Sequence, residues 1–256
     1  MKFNIEYFKT LLPENLQSIE IEYFDEIDST NSYLLHRKDF LDRILVIADF
    51  QTAGRGRFNR KWYSNPGENL MFSIGLKNVD LADLPKLSFI TSLSVQEAIE
   101  ETLNLQLKIK WPNDLISDNK KVCGILIETQ IQNIEKAKVV IGIGINVNQT
   151  NFPDEIKDKS TSLKLLLKIE INREILLSKI LDLFFKYINI ISSDFETIYQ
   201  KYKSKCTGIG QKVSVLFGNN IYTGILSDIN RSGELELLTE NSKISFNSGE
   251  ITIIKE

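Results

Sequence analysis

KVCGILIETQ at residues 121–130 and AKVVIGIGINVN at residues 137–148 read as two strands, the second with a strongly apolar run. Glycine inside such a run, as at Gly142 and Gly144, marks close approach by a ligand or another backbone, or tight strand packing. Working outward, residues 20–27, Ile44–Asp49, Asn69–Leu76 and Leu107–Trp111 are further strands. Asp28-Ser29-Thr30 supplies capping residues before a short helix, Asn31–Lys38. Leu84–Leu103 places Leu87, Ile90, Leu93, Val95, Ala98 and Ile99 at near-helical spacing. Arg173–Lys203 has no Gly or Pro and reads as helical throughout. From about Cys206 four short strands follow: Gln211–Phe217, Ile221–Asn230, Glu234–Glu240 and Lys243–Ile254. Turns at Gly218-Asn219-Asn220 and Arg231-Ser232-Gly233 separate them, which suits a small barrel of SH3-like size. The expected fold is α+β, with a first domain over 1–205 and a barrel domain over 206–256.

The 256 residues, 42% hydrophobic and 25% charged, are globular material able to bury a large core. A net charge of −3 argues against a dedicated nucleic-acid binder, whose affinity rests on neutralising phosphates. There is no apolar run of about 18 residues to span a membrane, and MKFNIEYFK at the start, with Glu6, has no signal-peptide core. Cys123 and Cys206 form neither a CxxC pair nor a disulfide framework, so a reduced cytoplasmic setting is expected.

The 13 glycines cluster at 54–75, 124, 142–144 and 208–249, which directs attention to three segments. In QTAGRGRFNRKWYSNPG, residues 51–67, Arg55, Arg57, Arg60 and Lys61 place four positive charges in seven residues, interleaved with glycine and followed by Trp62. Such a loop is expected to be poorly ordered alone and ordered by an anion, with arginine forks on phosphate; a solvated basic loop is the plainer reading. GRGRFN has Asn59 where the dinucleotide fingerprint needs its third glycine, GIGINV ends in Val147, and there is no G-K-[ST]. The second segment is Lys110-Trp111-Pro112-Asn113-Asp114, with Lys121 seven residues on. It reads as a ligand cluster at a strand end, Asp114 offering a carboxylate of the kind Mg²⁺ takes alongside phosphate oxygens, or as a simple turn. The third is Gly142-Ile143-Gly144-Ile145-Asn146.

Taken in order, Ser29-Thr30-Asn31, QTAGRGRFNRKW at 51–62, Pro66-Gly67-Glu68-Asn69-Leu70, KWPNDL at 110–115, KVCGILIE at 121–128, IGIGINVN at 141–148 and Gly249-Glu250-Ile251 resemble the biotin protein ligases. The resemblance covers about residues 20–256. It implies a central mixed sheet with flanking helices and a small C-terminal barrel. It also implies ATP-dependent ligation of biotin, through biotinyl-5′-AMP, to a lysine of a biotin carboxyl carrier domain. That chemistry needs alignment and charge neutralisation more than acid–base groups, and His36 lies outside every matched motif. On this resemblance Lys121, Arg57 and Asp114 are the catalytic residues, Asp114 also holding Mg²⁺. Ser29, Thr30, Asn31, Gln51, Gly54, Arg55, Gly56, Gly124, Gly142 and Gly144 join Arg57 and Lys121 at biotin. Arg55, Arg57, Trp62, Lys110, Asn113, Asp114 and Asn146 hold ATP or the adenylate.

Three departures from the family stand out. Asn59 replaces the loop's usual glycine, and the turn is expected to survive because Asn tolerates the left-handed region. The residues after Gly-Glu-Ile are Ile253-Ile254-Lys255, with no arginine. Only about 20 residues precede the first matched strand, so no winged-helix DNA-binding domain and no repressor function is expected. Pairing into a homodimer through a sheet edge is open. The alternatives are a lipoate ligase, a non-enzymatic biotin sensor and a nucleic-acid module. The polar set Ser29, Thr30, Asn31 and Gln51 favours biotin over lipoate, because a buried ureido group left unpaired costs about 1–3 kcal/mol.

Overall fold

The computed structural model describes residues 2–254. Seven strands form the main sheet: β1 Glu20–Phe24, β2 Arg43–Ala48, β3 Leu70–Asp80, β4 Lys108–Lys110, β5 Asp114–Ser117, β6 Lys120–Ile131 and β7 Lys136–Ile145. Their order is β1-β2-β3-β7-β6-β5-β4. Only β1 and β2 run parallel; every other neighbour pair is antiparallel, so the sheet is mixed.

The two faces of the sheet differ in kind. On one, Val139, Ile141, Ile143 and Ile145 of β7 join Cys123 and Ile125 of β6 in the main core. That core is closed by α1 Ile5–Leu11, α3 Leu84–Leu103, α5 Arg173–Ile190 and α6 Phe195–Lys205. α3 is buried almost all round, and its Thr91 and Ser94 satisfy their hydroxyls on Leu87 O and Ile90 O at 2.7 Å each. On the opposite face the short α2, Thr30–His36, covers only part of the sheet, packing Leu34 against Ile44, Val46 and Val140. The remainder of that face is the floor of the site described below.

Local chemistry sets most boundaries. Ser29 caps α2 by accepting from Ser32 N, and Asn172 caps α5 by accepting from Ile175 N. α3 stops where Asn104 turns left-handed at φ 51°. The expected single helix over Arg173–Lys203 is two helices. The break falls at Ile191-Ser192-Ser193-Asp194, where Asp194 N bonds Ile190 O and the Asp194 side chain caps α6 at Thr197 N. Helix α1, strand β5 and the short α4, Leu163–Leu167, were not anticipated.

The C-terminal sheet holds β8 Lys212–Phe217, β9 Asn220–Ile229, β10 Leu235–Leu238, β11 Lys243–Phe246 and β12 Glu250–Ile253, all antiparallel. It runs β11-β10-β9-β8-β12, and no pairing of β11 with β12 closes it among the described residues. The expected strand Lys243–Ile254 is therefore two strands. They part at Gly249, whose φ of 140° belongs to glycine and whose missing Cβ would lie 2.9 Å from Leu216 O. This sheet docks on the first through Trp111 Nε1 donating to Gly233 O (2.8 Å) and Tyr199 Oη donating to Ile229 O (2.8 Å).

A buried ion pair, Arg173 Nη1 to Asp49 Oδ1 at 2.8 Å, joins the end of β2 to the start of α5, the side chains being 5% and 7% exposed. Arg173→Met is expected to cost about 3–5 kcal/mol in urea unfolding, because it strands a buried carboxylate. Asp49→Asn/Arg173→Met should cost less than the sum of the two single changes. A single-variant loss below about 1 kcal/mol would contradict that weight.

Candidate active site

The open face of the sheet is a trough made by alternation. Side chains along a strand point to opposite faces, so when the branched residues of β7 fill the core, Gly142 and Gly144 face the other way. In register, Ser73 of β3, Gly142 and Leu126 of β6 form one row, and Met71, Gly144 and Gly124 the next. Both β7 glycines are needed for room. A Cβ on Gly142 would overlap the carboxamide of Asn31, and one on Gly144 would sit 2.6 Å from the Trp62 ring. The trough opens into a cavity of about 550 Å³. That volume is ample for a small ligand.

At one end of the cavity stands a polar cluster carried by the first turn of α2. Thr30 N donates to Gln51 Oε1 at 2.7 Å, and Thr30 Oγ1 lies 3.1 Å from the same oxygen. Ser73 Oγ donates to Asn31 Oδ1 (2.6 Å) and lies 2.7 Å from Thr30 Oγ1. Ser29, Thr30, Asn31 and Gln51 all line the cavity, and Ser29, Thr30 and Asn31 are buried. Ser73, beneath them, was not anticipated; it reads as one more residue of an apolar strand. These groups orient one another before any ligand arrives, which lowers the cost of ordering them.

The basic loop arches over the middle. Trp62 N bonds Gly54 O (2.9 Å), Gly56 N bonds Arg60 O (2.7 Å), and Arg55 pairs with Lys61 as an isolated bridge. Its cations find separate partners: Arg55 reaches Glu128, Arg60 pairs with Glu250, and Arg57 donates to Gly249 O and Asn113 Oδ1 at 3.4 Å each. These contacts offset the repulsion that argued for a loop ordered only by an anion. The left-handed residue of the turn is Phe58 (φ 55°, ψ 34°), one position before Asn59, where it was expected. Phe58 is 63% exposed, with the Arg57 guanidinium 4.9 Å from its ring.

At the other end, Lys121 Nζ lies 2.7 Å from Asp114 Oδ1 and 5.7 Å from the Trp62 ring centroid. Asp114 Oδ1 is buried with no aligned hydrogen-bond donor, so the contact is an ion pair that a better-placed cation or donor can replace. Burial pulls the Arg57 guanidinium below its usual pKa, while Asp114 and Glu250 push it up; an arginine stays charged throughout. Lys110, Asn113 and Asn146 line the same cavity. Asn113 Nδ2 is engaged with Ile125 O at 2.6 Å and Asn146 Nδ2 with Thr161 O at 3.0 Å. Both thiols are neutral, burial pushing Cys123 up and Cys206 up to about 12, so neither is a poised nucleophile.

Of the residues singled out from sequence, Gly54 alone does not line the cavity; it lies beneath, its backbone holding Trp62. The sequence missed the segment 149–161. Lys121 N bonds Lys159 O and Thr161 N bonds Lys121 O, which brings Phe152, Glu155, Ile156 and Lys159 to the cavity wall. Its only signal was an apolar Phe152-Pro153 in a polar stretch. Gly249, Glu250 and Ile251 close the wall from the C-terminal sheet.

Residues 23–146 match the Biotin/lipoate A/B protein ligase family, and residues 208–253 match the Biotin protein ligase C terminal domain. The chain is 35% identical over 237 residues to the bifunctional ligase/repressor BirA of Bacillus subtilis, covering 90% of this chain and 73% of that one. It is 28% identical over 246 residues to the biotin–[acetyl-CoA-carboxylase] ligase of Mycobacterium tuberculosis, covering 92% and 90%. In three dimensions it is similar to the biotin protein ligase from Aquifex aeolicus in complex with biotin and ATP, with TM-score 0.79, 32% identity, and 93% and 99% of the two chains covered. Fold, cavity and matches define the class, a ligase enzyme with a mixed catalytic sheet and an appended C-terminal one. Within that class the chain belongs to the biotin protein ligase family.

Because Gly144 has no room for a Cβ under Trp62, Gly144→Ala is expected to lift the indole from the trough. Trp62 and Trp111 are the only tryptophans. In a Trp111→Phe background the fluorescence of Gly144→Ala should therefore move to the red and quench more readily with acrylamide. Unchanged emission would show that the indole does not rest there.

Proposed function

We propose that the protein joins biotin to a lysine of a biotin carboxyl carrier domain in two steps. In the first, an oxygen of the biotin carboxylate attacks the α-phosphorus of ATP; the acyl–phosphate bond forms, the α–β phosphoanhydride breaks and pyrophosphate leaves. In the second, the carrier's lysine amine attacks the acyl carbon; the C–N bond forms, the C–O bond breaks, AMP leaves and the amine loses a proton. The observation that carries this reading is one continuous cavity with a pre-ordered polar pocket at Ser29, Thr30, Asn31 and Gln51, and with Lys121, Arg57 and Asp114 at its other end. The first end suits a ureido ring, and the second suits a carboxylate beside a phosphate.

In this reading Lys121 bridges the biotin carboxylate and the α-phosphate, and Arg57 retains the adenylate. Trp62 packs by the adenine, and Lys110, Asn113 and Asn146 border the nucleotide. Asp114 would hold Mg²⁺. One buried carboxylate oxygen without an aligned donor suits an ion that takes most of its ligands from phosphate and water. Bound there, the ion would neutralise phosphate charge. Residues up to about 205 form the catalytic unit, and 206–256 the unit that closes the cavity through Gly249 and Glu250. Two free thiols suit a reduced cytoplasmic setting. Repression is not part of this reading. A lipoate ligase would use the same cation end, but a dithiolane gives the Thr30–Gln51–Ser73–Asn31 network nothing to bond.

Pyrophosphate exchange into ATP tests the first step, run with biotin, with lipoate and with neither. Exchange with biotin alone is expected. Exchange with lipoate would overturn the pocket assignment, and binding of biotin without exchange would favour a sensor. Lys121→Gln should lower the exchange rate about 10²–10³-fold, the cost of removing one charge-stabilising group. Arg57→Gly should release the adenylate and biotinylate a bystander such as serum albumin; labelling still confined to the carrier would refute the retention role.

A further inference from the structure

Glu128 ends the KVCGILIE segment and does not line the cavity. We propose that Glu128 is a positioning residue that couples the basic loop to the ring pocket through a single carboxylate. The inference rests on the proposed reading of that pocket as the biotin site. Glu128 Oε2 accepts from Asn31 Nδ2 at 2.8 Å, while Arg55 Nη2 lies 3.4 Å from both Glu128 oxygens and 3.2 Å from Ser32 Oγ. Asn31 and Ser32 are on α2, Arg55 is on the loop, and Glu128 is on β6, in register with Val140 of the neighbouring strand.

Two consequences follow from the chemistry of that carboxylate. An ionised carboxylate only accepts hydrogen bonds. It therefore holds the Asn31 amide with Nδ2 toward itself and Leu126 O, and with Oδ1 toward Ser73. The reversed amide would set oxygen against oxygen at Glu128. The same charge anchors the loop's leading arm at Arg55, whereas the trailing arm is held on the other side of the cavity by Glu250 and Gly249. The loop thus closes against the pocket only when Arg55 shares the acceptor that orients Asn31. Arg55 is about a third exposed and its contacts are long, so the anchor is of a strength that a bound substrate can shift.

Glu128→Gln removes the charge but keeps a carbonyl for Asn31. In biotin-dependent pyrophosphate exchange it is expected to raise KM for biotin about three- to tenfold, in line with a partly exposed ion pair, with kcat changed less than about twofold. Glu128→Asp should restore part of the loss. Glu128→Gln placed on Arg55→Met should add less than about a further twofold, because the two act through one contact. Without any substrate, trypsin should cut the Glu128→Gln protein at Arg55–Lys61 several times faster than the wild type, at an unchanged urea midpoint. Equal cleavage rates, a fall in kcat at constant KM, or independent effects in the double variant would each overturn the proposal. If wild-type exchange does not depend on biotin, the substrate reading fails, while the cleavage comparison still decides whether Glu128 anchors the loop.

Discussion

The Asp49–Arg173 ion pair is the clasp on which the site is built. Asp49 follows the last residue of β2, and the basic loop begins two residues later. Its Oδ1 accepts from Arg173, its Oδ2 accepts from Phe3 N (3.1 Å) and Tyr23 Oη (2.8 Å), and its carbonyl accepts from Gly67 N (3.0 Å). Arg173 also donates to Asn69 O at 2.9 Å, just before β3 begins. One buried pair therefore gathers the N-terminal segment, the ends of two adjacent strands, the first turn of α5 and both feet of the loop. A buried ion pair survives its desolvation only when its remaining lone pairs and protons are bonded. Here that requirement fixes the geometry of everything the pair touches.

Above that clasp, the sheet divides its labour between faces. β7 is flanked by β3 and β6, so its backbone is fully laddered and can bear two glycines that would weaken an edge strand. The core face of the same strand carries Val139, Ile141, Ile143 and Ile145, each nearly or fully buried. Burial on one face thus stabilises a strand whose other face is stripped for close approach. Asn31 and Trp62 occupy the space the missing Cβ atoms leave, and one cavity is lined by both the polar pocket and the cation end.

Elements whose apolar period was clean were legible in the sequence. Leu84–Leu103 is the helix expected, residue for residue, and the strands of the main sheet other than β5 fall within a few residues of their expected ends. The errors arose where polar side chains redirect the backbone. Asp194 starts a new helix inside a stretch with no Gly or Pro, and the polar Asn247-Ser248 with Gly249 splits what reads as one strand into two. At the site, motif residues converge because the strands that bear them are neighbours. Phe152, Glu155 and Ile156 were missed because a long-range bridge, Lys121 to Ser160, brings them in, and the apolar Phe152-Pro153 alone does not announce that pairing. Ser73 was hidden for the opposite reason, being a single polar group inside a strand whose pattern speaks only of burial.

The charges at the cavity are arranged so that it holds its cations before a substrate brings anions. Lys121 rests on Asp114, Arg55 on Glu128 and Arg60 on Glu250. Each pairing spares the cation the cost of sitting near its neighbours unneutralised, and each is partly exposed, so phosphate or carboxylate oxygens can exchange with the resident carboxylate at little net cost. Arg57 differs. It donates to the neutral oxygens of Gly249 and Asn113, and burial already works against its charge. An anion offers that guanidinium a charge-assisted, bidentate partner in place of two long neutral contacts. Arg57 and Arg60 both tie the loop to the C-terminal segment, at Gly249 and Glu250; Arg60 already holds a carboxylate, so the loop's larger unspent affinity for an anion sits at Arg57, a cation that also helps close the cavity.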